Sequence, residues 1–130
     1  METSEVSQIM VIEDEPLLLE TITKRFDTKG FSSIGFPSAE NAIDYLDSLK
    51  KPEELPKVIW LDYYLGNMGG TEFVENIKKK PLLTNIPILV ISNGGSNEEI
   101  QKLLGLGVKK YLLKANYKLD DLISLVQEFT

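Results

Sequence analysis

Apolar positions along this chain follow two patterns, short unbroken runs and stripes at helical spacing, and the two alternate from one end to the other. The runs at Ile9–Ile12, residues 58–61 and residues 86–91 show no alternation of polar and apolar positions, which suits strands covered on both faces, as in a parallel sheet. Weaker strands are expected at Ser33–Phe36 and at residues 111–113. Behind Pro16, Leu18 or Leu19, Ile22 and Phe26 recur at helical spacing until Gly30 stops them. Behind Ser38, a capping residue, come Ala39, Ala42, Ile43, Leu46 and Leu49. Residues 50–57, with two prolines, read as a linker. Phe73, Val74 and Ile77 stripe a helix over residues 71–80 that Pro81 ends. Ser96 and Glu99 form a capping-box pattern ahead of Ile100, Leu103 and Leu104, with Gly105 and Gly107 as the stop. Leu119, Leu122, Ile123, Val126 and Phe129 mark the last helix. Five strands alternating with five helices imply right-handed crossovers, so the expected fold is α/β, a doubly wound five-stranded parallel sheet with helices on both faces.

The strand ends carry the chemistry. The first strand runs into Glu13 and Asp14, the central one into Asp62, the fourth into Ser92 and the fifth into Lys114. Singly, each reads as a cap, a turn residue or a solvated charge. In a parallel sheet all these ends point one way, and ligands bind beyond the carboxyl ends of the strands. Acids, a hydroxyl and an amine are therefore expected at one edge.

Composition narrows what that edge can do. A chain of 130 residues makes one domain, residues 1–130, with no output domain expected. Fourteen basic against twenty acidic residues, a net charge of −6, disfavour nucleic acid and anionic membrane as partners. With no cysteine and no histidine there is no disulfide, no thiolate or imidazole ligand and no histidine base. Any metal must be held by oxygen. No run approaches the roughly 18 apolar residues of a membrane span, and METSEVSQ lacks the apolar core of a signal peptide, so a cytoplasmic location is expected. Three clustered carboxylates repel unless a cation or protons intervene, and an oxygen-only site suits Mg2+. A carboxylate is also a nucleophile toward phosphorus, and Asp62, central in the sheet, is best placed for attack. Phosphoryl transfer needs charge neutralisation more than acid or base. Lys114, the Ser92 hydroxyl and Mg2+ would supply it.

Nearly the whole chain, from Ile9 to Phe129, resembles the receiver domain of two-component response regulators. IEDEP matches the acidic pair at Glu13 and Asp14, LDYYLGNMGG the phosphoacceptor segment at Asp62, VIS the hydroxyl position at Ser92, and KKYLLK the switch aromatic Tyr111 and the lysine Lys114. The resemblance implies the flavodoxin-like strand order 2-1-3-4-5, phosphotransfer to Asp62 from a histidine kinase or phosphotransfer protein, and a chain that is a phosphoacceptor rather than an enzyme. It implies Mg2+ held by Asp14, Asp62 and the Tyr64 backbone carbonyl, with Glu13 binding through water. It also implies that Ser92 and Tyr111 reshape the Ile100, Leu104 and Tyr111 face for a downstream protein.

Four departures from the family pattern modify these expectations. Gly66 stands where proline is common, which would loosen the loop after Asp62. Asn93 replaces a small residue beside the phosphoryl pocket. Ala115 replaces a proline after Lys114, so that bond is expected trans. Lys109 and Lys110 stand where dimerising relatives are frequently acidic, so a monomer is expected. The competing readings are a Mg2+-dependent phosphatase with an aspartyl nucleophile, against which Tyr64 stands where such enzymes carry a second Asp, and an unphosphorylated pseudo-receiver.

Overall fold

The computed structural model describes residues 8–64 and 68–130. Ile9–Ile12 forms β1, Pro16–Thr28 α1, Ser33–Phe36 β2, Ala39–Ser48 α2, Val58–Asp62 β3, Gly70–Lys78 α3, Ile88–Ser92 β4, Asn97–Gly105 α4, Lys110–Leu113 β5 and Leu119–Gln127 α5. All five strands are parallel and lie in the order β2-β1-β3-β4-β5. That is the doubly wound arrangement with β3 at its centre.

The unbroken apolar runs divide their side chains between two cores because successive strand residues face opposite ways. Met10, Ile12, Ile59, Leu61, Ile88 and Val90 pack toward α2, α3 and Leu103 of α4. Ile9, Val11, Val58, Trp60, Leu89 and Ile91 pack toward Ile22 and Phe26 of α1 and Leu122, Ile123 and Val126 of α5. Trp60, 1% exposed, meets Phe26 edge to face with ring centroids 6.1 Å apart.

The expected boundaries hold with small shifts. β4 begins at Ile88 rather than at residue 86, because Pro87 has no N–H to give a ladder and offers only its carbonyl, which accepts from the Ile59 amide at 2.9 Å. Leu83 and Ile86 are buried in the turn ahead of it. α3 stops at Lys78, two residues short, since proline at 81 pushes the residue before it out of helical conformation. The linker at residues 50–57 contains a 3-10 turn, Pro52–Glu54. Gly107, at φ +103°, takes the left-handed conformation after α4, while Gly105 is the last helical residue. The bond from Lys114 to Ala115 is trans and opens a 3-10 turn, Lys114–Asn116. Gly66, and with it the loosening expected there, lies outside the described residues.

Candidate functional site

Strand pairing brings the polar residues to one edge. Ile12 pairs with Leu61, Asp62 with Ile91, and Ser92 with Leu113. The residues that follow, Glu13, Asp14 and Lys114, therefore leave the sheet beside Asp62 and Ser92. Carboxylate oxygens of Glu13, Asp14 and Asp62 all lie within 4.8 Å of one another.

Burial differs sharply within the cluster. Glu13 is 2% exposed and Asp62 6%, while Asp14 faces solvent. Glu13 accepts from the Glu15 amide at 3.2 Å and lies 3.4 Å from the Lys114 ammonium. Asp62 accepts from the Tyr64 amide at 3.3 Å. Burial above all, and then the charge of Asp62, push the Glu13 acid up to about 7, against the pull of Lys114. Burial raises Asp62 as well, offset chiefly by Lys114. This is a site that stores carboxylate repulsion. A hard cation of oxygen preference would relieve it.

Ser92 and Lys114 stand at the edge but are engaged elsewhere. The Ser92 hydroxyl donates to the Gly94 carbonyl at 2.6 Å and accepts from the Gly94 amide at 3.1 Å. Lys114 pairs with Glu13 rather than with Asp62. Tyr111 already lies half-buried with its hydroxyl donating to the same Gly94 carbonyl. A side chain at Gly95 would collide with that hydroxyl. Glycine is required there for the close approach.

One participant escapes a reading of the chain by motif. The Tyr63 hydroxyl donates to a Glu99 oxygen at 2.6 Å and receives a long bond from Thr71 at 3.4 Å, joining the end of β3 to α4 and α3. No periodicity or spacing connects residues 36 apart. The available signals were the adjacency of Tyr63 to Asp62 and the place of Glu99 in a capping box.

A groove of about 1030 Å³ opens at the opposite end of the sheet, lined by residues such as Phe31, Leu55, Pro87 and Phe129, and none of the acids above reaches it. No helix among the described residues is long and apolar enough to cross a membrane.

Comparison with known proteins accords with this arrangement. The family model for the response regulator receiver domain matches residues 9–127. The chain is 25% identical over 107 residues to the phosphate regulon transcriptional regulatory protein PhoB of Escherichia coli K12, covering 82% of this chain and 44% of that protein. It thus spans less than half the length of that relative. A response regulator receiver protein from Pseudomonas putida has the same fold, with a TM-score of 0.82 at 23% identity over 97% of this chain and 99% of that one. The Mn2+-bound form of the response regulator Rcp1 is 26% identical, with a TM-score of 0.75 over 92% of this chain and 88% of that one. Matched from the first strand to the last helix, and with the acidic cluster at the carboxyl edge of its sheet, the chain belongs to the response regulator receiver domain family of two-component signalling.

Proposed function

We propose that Asp62 accepts a phosphoryl group from the phosphohistidine of a histidine kinase or phosphotransfer protein, and that a downstream protein then reads the change. The observation that carries this reading is the packing of Glu13, Asp14 and Asp62 within 4.8 Å at the edge where Ser92 and Lys114 also end their strands. An Asp62 oxygen attacks phosphorus, an O–P bond forms as the P–N bond breaks, and the departing imidazole nitrogen takes a proton. The Lys114 ammonium turns from Glu13 to the phosphoryl oxygens. Ser92 exchanges its bond to the Gly94 carbonyl for one to the phosphoryl group, leaving that carbonyl to Tyr111.

The donor set fits Mg2+, because the carboxylates are close and partly open to water through Asp14, and because burial, together with the neighbouring Asp62, pushes Glu13 up to about 7. Asp14, Asp62 and the Tyr64 carbonyl would hold the ion, with Glu13 acting through water. Bound there, the ion neutralises the carboxylates and the charge on the moving phosphoryl group. On this reading the chain promotes only its own phosphorylation and its own dephosphorylation.

The downstream surface is the face around Ile100, Leu104 and Tyr111. Leu104 is 40% exposed and Ile100 half-buried, so apolar area is offered to a partner. The test is intact mass after treatment with acetyl phosphate and Mg2+. A stable phosphoryl adduct on the parent, absent from Asp62→Asn, is the expected result. Turnover without adduct would instead mark a phosphatase, and an unchanged mass with no turnover a pseudo-receiver.

A further inference from the structure

Tyr63 is held more firmly than a strand-end aromatic needs to be. Its carbonyl accepts from the Gly70 amide at 3.0 Å, and its ring lies so close to Gly70 that a Cβ there would come within 2.9 Å of it. The ring packs edge to face with Tyr64, centroids 4.8 Å apart, and lies 6.2 Å from Tyr111. The hydroxyl reaches Glu99, whose two oxygens are divided between two tasks. One accepts from the Ser96 amide at 2.9 Å and closes the N-terminal cap of α4, while the other accepts from Tyr63 at 2.6 Å. Asp62, meanwhile, holds the Tyr64 amide at 3.3 Å. The peptide that joins Tyr63 to Tyr64 is therefore pinned twice, its N–H to the acid and its carbonyl to the start of α3.

We propose that Tyr63 is a positioning residue that couples the state of Asp62 to the start of α4 through its hydroxyl bond to Glu99. The inference rests on the phosphoacceptor reading of Asp62 and adds a second route to it. The loop from Ser92 pulls on α4 from before its cap, and Tyr63 holds the same turn from the side. A phosphoryl group on Asp62 takes up the oxygen that fixes the Tyr64 amide. The Tyr63–Tyr64 peptide, then held only through its carbonyl by the Gly70 amide, tilts, and the hydroxyl bond to Glu99 breaks or lengthens. Because that bond belongs to the unphosphorylated arrangement, removing it favours the other one. Coupling between two sites is reciprocal, so loosening α4 from Tyr63 must tighten the binding of a phosphoryl mimic at Asp62.

The test uses beryllofluoride with Mg2+ as the mimic and compares the parent with Tyr63→Phe, Glu99→Gln and the double variant. Tyr63→Phe keeps the ring and its packing on Gly70 and removes only the hydroxyl. The expected result is an affinity for beryllofluoride raised roughly 5-fold, at the low end of couplings between sites because Glu99 is only half-buried, with the double variant no tighter than Tyr63→Phe alone. Amide exchange in the first turn of α4 should also quicken in Tyr63→Phe without the mimic, and exchange in α1 should not. A role confined to packing would lower affinity or leave it unchanged, and either result overturns the proposal. Should Tyr63→Phe fail to fold, Glu99→Ala, which leaves the Tyr63 hydroxyl no partner on α4, carries the same expectation for affinity and the same refutation. If the parent itself binds no beryllofluoride, or Asp62→Asn binds it equally well, the phosphoacceptor reading falls and this inference with it.

Discussion

Two buried acids side by side make the metal-free protein sensitive to pH in a stated direction. The folded chain holds the Glu13 proton up to about 7, whereas an unfolded chain loses it near 4.5. Between those values the folded state binds more protons, so stability is fully present below the lower value and is lost as pH rises through the upper one. Asp62, raised by burial, adds to the same trend. In chelator, the melting temperature should fall from pH 5 to pH 7, and saturating Mg2+ should flatten that fall. A metal-free melting temperature that rises over this interval would refute the cluster as a store of repulsion. For the same reason Asp62→Asn should stabilise the metal-free protein while removing the phosphoryl adduct. Thermal unfolding in chelator checks the sign.

Among the five α-helices, α4 is the one the packing leaves least committed. It places only Leu103 in the core, whereas α5 buries Leu122, Ile123 and Val126. Its N-terminus is well capped by Ser96 and Glu99, and its C-terminus ends in glycines with different demands. A Cβ at Gly105 would meet nothing within 4 Å and the backbone there is helical, so Gly105→Ala should stabilise by about 0.5 kcal/mol. Gly107 needs φ +103°, so Gly107→Ala should destabilise by about 1 kcal/mol. Opposite shifts in melting temperature for the two alanines are the expected pair, and equal shifts would contradict the assignment of the left-handed position. A helix so lightly anchored is suited to move. Amide exchange with beryllofluoride should change most between Ser92 and Leu104, while the stretch from Leu17 to Phe26 stays as it was. A change confined to α1 would send the output through another face.

At the scale of the whole molecule, charge placement bears on association. Lys109 and Lys110 are both exposed at the entrance to β5, where a two-fold pairing of the α4 and α5 faces would set like charges against each other. Sedimentation with beryllofluoride should therefore show a monomer. A tight activated dimer built on α4, β5 and α5 would overturn that expectation. Mg2+ should stabilise the fold as a ligand of the native state alone, by roughly 2.7 kcal/mol at 100 times its Kd.

The chain by itself determined the sheet, because its signals are local. Unbroken runs at β1, β3 and β4, too short for helices and bounded by turn residues, read as strands buried on both faces, stripes at helical spacing read as helices with one covered side, and the chirality of crossovers joins them in one sense. It also determined that Glu13, Asp14, Asp62, Ser92 and Lys114 meet, because parallel strands end together. What only the tertiary structure decided is which partner each of these side chains takes. Lys114 lies on Glu13 and not on Asp62, Ser92 and Tyr111 share the Gly94 carbonyl, Glu13 is sealed from water while its neighbour Asp14 is not, and Tyr63 reaches across 36 residues to Glu99. Periodicity is set by the backbone within a few residues. Such side-chain partnerships depend on where α3, α4 and the loops come to rest against the sheet, which is settled by the packing of both cores at once.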